Sequence, residues 1–199
     1  RLPHPPRILA IVASETPATR SYLSIKGKRA SDAGCVLEVK QFSGSVSTEE
    51  LQKAIAESDA DAVIVQLPLP VGADTKAVCD AIPMEKDADV LSSDARTKFE
   101  CGDIDAFLPP VVAAIAHIVY AESVELKGKQ AAVVGNGFLV GVPSAMWLAQ
   151  QGAHVTTVNH STKDFIEILR SADVIVSGAG SPHLIQPEML KDGVVLIDA

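Results

Sequence analysis

Residues 130–162, QAAVVGNGFLVGVPSAMWLAQQGAHVTTVNHST, constrain the fold more than any other stretch of the chain. The apolar run Ala131, Ala132, Val133 and Val134 enters glycines at Gly135, Gly137 and Gly141. An apolar-periodic segment to Gln151 follows, then a second β-branched run over 155–158. Strand, glycine turn, helix, strand is the unit in which dinucleotides bind. Residues without a β-carbon let the backbone approach a pyrophosphate, whose charge is met by the unpaired N–H groups of the helix that starts there. The gap from Gly137 to Gly141 is one residue longer than in the usual G-x-G-x-x-G, and an ordinary βα turn without a ligand would carry the same residues.

The rest of the chain also reads as alternating strands and helices. Residues 7–13 form an apolar run expected to be a buried strand. Thr16 and Pro17 supply a cap and a first-turn proline for a helix over 18–33, closed by Gly34. Residues 35–42 alternate as a strand, Ser47-Thr48-Glu49-Glu50 opens a helix to 58, and AVIVQ at 62–66 is a third strand. Two successive strand-helix-strand steps predict a parallel sheet with helices on its faces. The proline-punctuated LPLPVG then leads to a short helix over 74–81. Periodicity lapses over 82–107, which reads as a long irregular loop. Residues 109–121 read as a linking helix, and 173–177 and 194–197 as two further strands.

Composition narrows the function classes. At 199 residues, with 47% hydrophobic and 21% charged, the chain suits one large soluble globular domain or two small ones. A net charge of -8 argues against a nucleic-acid partner, although Lys26, Lys28 and Arg29 form a small basic patch. Cys35, Cys79 and Cys101 have neither disulfide-framework nor C-x-x-C spacing, and a reducing cytoplasm is the simplest home. The histidines show no metal-ligand spacing, so no metal site is read. His117, on an apolar helix face, is expected to lie in the core. The apolar stretch 111–120 is too short to span a bilayer, and no membrane partner is expected. The chain opens without methionine and stops as a strand is ending, so a fragment is expected.

Several residues have the chemistry of a site. Tyr22 and Lys26 stand four apart on the first helix and project from one face; a lysine partly desolvated beside an aromatic ring can exchange protons near neutral pH, and a solvated basic patch would look the same. Gln66 and its loop fall at the carboxyl end of a strand, where parallel sheets place ligands. Asp87 and Asp89 suit the amino-pyrimidine edge of a ligand, since a carboxylate accepts two parallel N–H bonds, or are solvated loop acids. After the strand at 155–158 comes Asn159-His160-Ser161-Thr162-Lys163, with no acid to hold ribose hydroxyls; its small hydroxyls and lysine favour a phosphorylated ribose, hence NADP.

Taken together, Tyr22 and Lys26, VQLPLP at 65–70, KDAD at 86–89, KGKQAAVVGNGFLVGVPSA at 127–145 and ADVIVSGAGSP at 172–182 resemble, in order and spacing, the bifunctional methylenetetrahydrofolate dehydrogenase/methenyltetrahydrofolate cyclohydrolase family. The resemblance covers nearly the whole chain, and VQLPLP is its most specific piece. It implies an α/β fold of two parallel-sheet domains: a catalytic folate-binding domain over 1–108, the linking helix 109–121, and a Rossmann-type NAD(P)-binding domain over 122–199, incomplete at its C-terminus. Folate would lie in the cleft between the domains. Lys26 would transfer protons, oriented by Gln66; Tyr22 would stack on the pterin and Asp89 hold its amino-pyrimidine edge, with Leu67 and Pro68 contributing to the substrate site. Gly135, Asn136, Gly137, Val140, Gly141, His160, Ser161, Thr162, Ala179 and Gly180 would line NADP, or NAD. The family also implies a cytoplasmic homodimer. A degenerate relative that binds without turnover, and a dehydrogenase of another small substrate, are the alternatives.

The departures from the family pattern are specific. Asn136-Gly137 stands where Arg-Ser is usual, which removes the expected grip on a ribose phosphate. Val90 replaces the glycine that normally follows the second aspartate, and Pro109-Pro110-Val111-Val112 replaces a Pro-Cys-Thr-Pro segment.

Overall fold

The computed structural model describes residues 4–14 and 16–199. The chain separates into two units, Arg1–Phe107 and Leu108–Ala199, each with its own parallel sheet.

In the first unit β1 (Arg7–Val12), β2 (Val36–Gln41) and β3 (Ala62–Gln66) lie in the order β2-β1-β3, all parallel. Ala10, Ile11 and Val12 of the central strand are no more than 1% exposed, which is why RILAIV reads as a continuous apolar run instead of an alternating one. The register pairs Val12 with both Gln41 and Gln66, so the three carboxyl ends are level. With β2 on one side of β1 and β3 on the other, the ends of β1 and β3 form the switch point at which open parallel sheets take ligands.

Helices start where the sequence supplies caps. In α1 (Pro17–Asp32) the Thr16 side chain accepts the Thr19 N–H and a proline occupies the first turn. In α2 (Thr48–Ala56) Ser47 and Glu50 form a reciprocal capping box, and α3 (Thr75–Asp80) is capped by Asp74. Each such cap contributes about 1 kcal/mol. Leu51 and Ile55 of α2 pack with Leu9, Ile11, Val63 and Val65 in the core. By contrast α1 buries little of its surface, and Tyr22 and Ile25 are more than half exposed.

Two expectations fail here. Residues 82–107 are not one irregular loop: a 3-10 turn (Met84–Lys86) is followed by α4 (Ser93–Glu100), capped by the Ser92 hydroxyl. The helix is two turns long and anchors itself through Ala95 and Phe99 alone, too few positions for a helical period to show. Likewise His117 is exposed and outside the core, because α5 (Pro110–Ala121) is apolar on more than one face and buries only Val112, Ile115, Ala116 and Val119.

In the second unit β4 (Gln130–Val134), β5 (His154–Val158), β6 (Val174–Ser177) and β7 (Val195–Asp198) are parallel in the order β5-β4-β6-β7. Val134 pairs with both Val158 and Ser177, so here the switch point falls between the ends of β4 and β6. Helix α6 (Gly141–Gln150) links β4 to β5 and buries Trp147 and Leu148. A further helix, α7 (Phe165–Ser171), links β5 to β6; the spacing of Phe165, Ile168 and Leu169 is its one sequence signal, since Asp164 precedes it in a left-handed conformation without capping it. No helix among the described residues is long and apolar enough to cross a membrane.

Candidate active site and dinucleotide cradle

The i, i+4 spacing on α1 brings Lys26 Nζ to 4.8 Å from the centre of the Tyr22 ring, within cation–π range. The same nitrogen donates to Asp89 Oδ2 at 3.4 Å, and both side chains are about a fifth exposed. Burial pushes the Asp89 carboxyl above its ordinary value, and the Lys26 ammonium only partly opposes that rise. Asp89 is therefore a carboxylate held in a poorly solvated place by one cation, the state in which a ligand offering N–H donors gains most.

Gln66 ends β3. Its amide Nε2 donates to the Leu67 carbonyl at 3.0 Å, while its Oε1 is buried without a partner. Lys26 thus has Asp89 as its hydrogen-bond partner where the resemblance implied Gln66. A buried acceptor left open at the end of a strand is where a ligand donor or a bound water belongs. Leu69 is buried beneath the loop, Leu67 is half-buried, and Pro68 faces solvent. Cys79 is buried and its thiol is pushed up to about 11, by burial first and then by Asp87 and Asp80; it remains a neutral thiol and no nucleophile. Asp87, grouped with Asp89 in the sequence, takes a different place: it is fully buried and turned to backbone amides.

In the second unit the glycine turn is needed for space. A β-carbon on Gly141 would lie 1.9 Å from the Gly135 carbonyl oxygen, and one on Gly135, whose φ is 104°, would lie 2.9 Å from the Gly178 oxygen. The chain leaving β4 therefore passes directly against the chain leaving β6, backbone to backbone, at the switch point. A β-carbon on Gly137 would meet nothing within 4 Å; its lack of a side chain leaves open surface. Val140 packs where a Gly178 side chain would be, 2.4 Å from that position. Gly178 was not singled out beforehand, although Gly178-Ala179-Gly180 directly after a strand was its signal.

The start of α6 is a poorer anion site than the sequence suggests. The Val142 N–H goes to the Gly137 carbonyl, Pro143 has no N–H, and the Ser144 N–H goes to Val140. Beyond β5, Asn159 and Thr162 bond one another: the Asn159 N–H donates to Thr162 Oγ1 at 2.9 Å, and the Ser161 N–H to Asn159 Oδ1 at 2.9 Å. That closed turn leaves His160 and the Ser161 hydroxyl facing solvent. Ala179 is half-buried and Gly180 exposed on the loop after β6.

His160 also borders a shallow depression of about 490 Å³, lined with it by Asp164, Phe165, Ile166, Glu167, Leu184 and Met189. Two carboxylates, Asp164 and Glu167, thus border the same depression as His160. Asp164 immediately precedes α7 and Glu167 lies in its first turn, so their grouping depends on a helix the sequence reading does not contain. Among the described residues, no group of three or more His, Cys, Asp or Glu is placed to hold a metal.

Residues 2–89 match the family model described as tetrahydrofolate dehydrogenase/cyclohydrolase, catalytic domain, and residues 109–199 the one described as tetrahydrofolate dehydrogenase/cyclohydrolase, NAD(P)-binding domain. The bifunctional protein FolD of Moorella thermoacetica is 34% identical over 197 residues, which cover 97% of this chain and 70% of that protein. That of a Hydrogenobaculum species is 31% identical over 198 residues, covering 97% and 71%. Among solved structures, the FolD methylenetetrahydrofolate dehydrogenase/cyclohydrolase of Campylobacter jejuni superposes with a TM-score of 0.91 at 27% identity, covering 97% of this chain and 70% of its own. The Trypanosoma brucei enzyme, complexed with NADP and an inhibitor, gives 0.91 at 30% identity, covering 97% and 67%.

Proposed function

Because the chain belongs to the tetrahydrofolate dehydrogenase/cyclohydrolase family, with both the catalytic and the NAD(P)-binding domain represented, we propose that it oxidises methylenetetrahydrofolate to methenyltetrahydrofolate and hydrolyses the product to formyltetrahydrofolate, in one-carbon metabolism. The observation that carries this reading is the arrangement of Lys26 between the Tyr22 ring and the Asp89 carboxylate. A primary amine beside an aromatic surface and a hydrogen-bonding acid suits a flat, N–H-rich heterocycle that needs a proton moved next to it.

Each side chain has a distinct task in the proposal. Asp89 accepts the paired N–H groups of the amino-pyrimidine edge, and Tyr22 stacks on the ring. Lys26, in its neutral amine form, takes the proton released when water adds to the methenyl carbon and becomes the ammonium that donates to Asp89. The open Gln66 Oε1 receives a donor from the ligand or from the attacking water. NADP, or NAD in its place, supplies the hydride acceptor for the first step. The residues fit such a dinucleotide: Gly135 and Gly141 keep the backbone bare at the end of β4, and His160, Ser161 and the depression beside them suit the ribose and base. Asn136 in place of an arginine supports acceptance of an unphosphorylated ribose. A cytoplasmic homodimer belongs to the same proposal and rests on the resemblance alone.

Replacing Asp89 tests the folate half directly. Asp89→Asn is expected to weaken binding of methylenetetrahydrofolate by about ten- to a hundredfold, the range for hydrogen bonds to a charged group, with dinucleotide binding unchanged. Stability is expected to move the other way. The folded-state pKa of Asp89 lies above its ordinary value, so its contribution is favourable below that value and is lost as pH rises through the raised one. At neutral pH the neutral amide removes this cost, and Tm is expected to hold or rise. Unchanged folate titration would remove Asp89 from the site; weak binding with a lower Tm would attribute the loss to folding.

A further inference from the structure

Asp87 is 0% exposed although its side chain is an acid, and it lies two residues before Asp89. It is docked on β3 by a bridge to Val63, whose carbonyl accepts the Ala88 N–H. Its own carbonyl accepts the Val90 N–H at 3.4 Å, closing a turn with Ala88 and Asp89 at the apex. Its carboxylate accepts the Leu91 N–H at 2.9 and 3.0 Å and the Ser92 N–H at 2.7 Å. Ser92, 2% exposed, in turn caps α4. Between the two ends of this clamp stands Val90, with φ 55° and 1% exposure. A β-branched residue in the left-handed region is a conformational outlier that persists only where its surroundings over-determine it.

We propose that Asp87 is the positioning residue for Asp89: by gripping the Leu91 and Ser92 amides it forces Val90 into the left-handed conformation that presents Asp89 to Lys26. This rests on the reading that Asp89 holds the folate. Without the clamp, Val90 relaxes toward the extended region, and the peptide between Asp89 and Val90 rotates with it. Glycine adopts the left-handed conformation freely, so a glycine at this position would not need the clamp.

The test uses the full chain and four variants: Asp87→Asn, Val90→Gly, the two combined, and Asp89→Asn. Asp87→Asn is expected to raise KM for methylenetetrahydrofolate by about tenfold or more, with KM for the dinucleotide changed by less than about twofold. Adding Val90→Gly is expected to restore the folate KM while lowering Tm, since a buried side chain is lost. A purely structural role for Asp87 predicts the reverse, with KM and Tm worsening together in the double variant, and that result overturns the proposal. If Asp89→Asn raises the folate KM and Asp87→Asn does not, the positioning role fails alone. If Asp89→Asn leaves KM unchanged, it is the folate-holding reading that fails. Should Asp87→Asn not fold, Val90→Gly by itself decides: the intact clamp is expected to keep the Leu91 and Ser92 amides slow to exchange and the folate KM unchanged. Fast exchange or a raised KM contradicts the proposal.

Discussion

Lys26→Ala is expected to abolish methenyl hydrolysis and to leave dinucleotide binding intact. Positioned proton transfer contributes about 10²- to 10⁴-fold to a rate, and Lys26 is the side chain here held by both an aromatic ring and a carboxylate. The glycine turn proposed to serve the dinucleotide belongs to the other unit, so binding and hydrolysis are expected to separate cleanly. Lys26→Arg distinguishes proton transfer from charge. The guanidinium keeps the positive charge and the stacking but does not release its proton, so hydrolysis is expected to stay lost. Recovery of hydrolysis in Lys26→Arg would reduce the role of Lys26 to electrostatics, and equal hydrolysis by wild type and Lys26→Ala would remove it altogether.

The second large effect is expected at Gly141. A methyl group there would overlap the Gly135 carbonyl, 1.9 Å away, and would stand 2.7 Å from its carbon. Both are backbone atoms, so relief requires the strand exit or the helix start to move, which costs about 1–3 kcal/mol or more. Gly141→Ala is therefore expected to lower Tm and to eliminate dinucleotide binding, measured by titration with NADP and with NAD. Gly137→Ala is the matched control. It meets nothing within 4 Å and is expected to change stability by less than about 0.5 kcal/mol. Equal loss of Tm in the two variants would show that the close approach of the α6 start to the β4 exit does not shape the turn.

The contrast between these two glycines shows where sequence reading succeeds and where it stops. The G-x-G spacing located the turn but could not tell which glycine was sterically required, because that depends on how the turn folds back: Gly141 faces the Gly135 carbonyl within the turn, and Gly135 faces Gly178 across the sheet. The strands were legible because parallel strands buried on both faces are written as unbroken apolar runs: AVIVQ coincides with β3 at both ends. The long capped helices were legible for the same local reason. By contrast α4 and α7 are short, and the eight residues of the first bury only Ala95 and Phe99. Missing α7 also hid Asp164 and Glu167 beside His160.

The candidate site divides in the same way. The Tyr22–Lys26 contact followed from helical spacing. The partnership of Lys26 with Asp89, sixty-three residues later in the chain, was written neither in the spacing nor in the resemblance, which implied that Gln66 orients the lysine. Asp87 and Asp89 look equivalent in KDAD; only the fold separates a carboxylate that binds backbone amides from one that faces the lysine. At Val90 the sequence did carry a warning, a missing glycine, and the backbone there is left-handed.

Turnover of methylenetetrahydrofolate by the full chain, offered NADP and NAD separately and followed through both the reduced nicotinamide and the methenyl absorbance, tests the central claim most directly. Reduced nicotinamide is expected to appear with at least one acceptor, followed by decay of the methenyl signal faster than in buffer. Absence of both signals, with the dinucleotide still bound, would contradict the enzyme reading and leave a relative that binds its ligands without converting them.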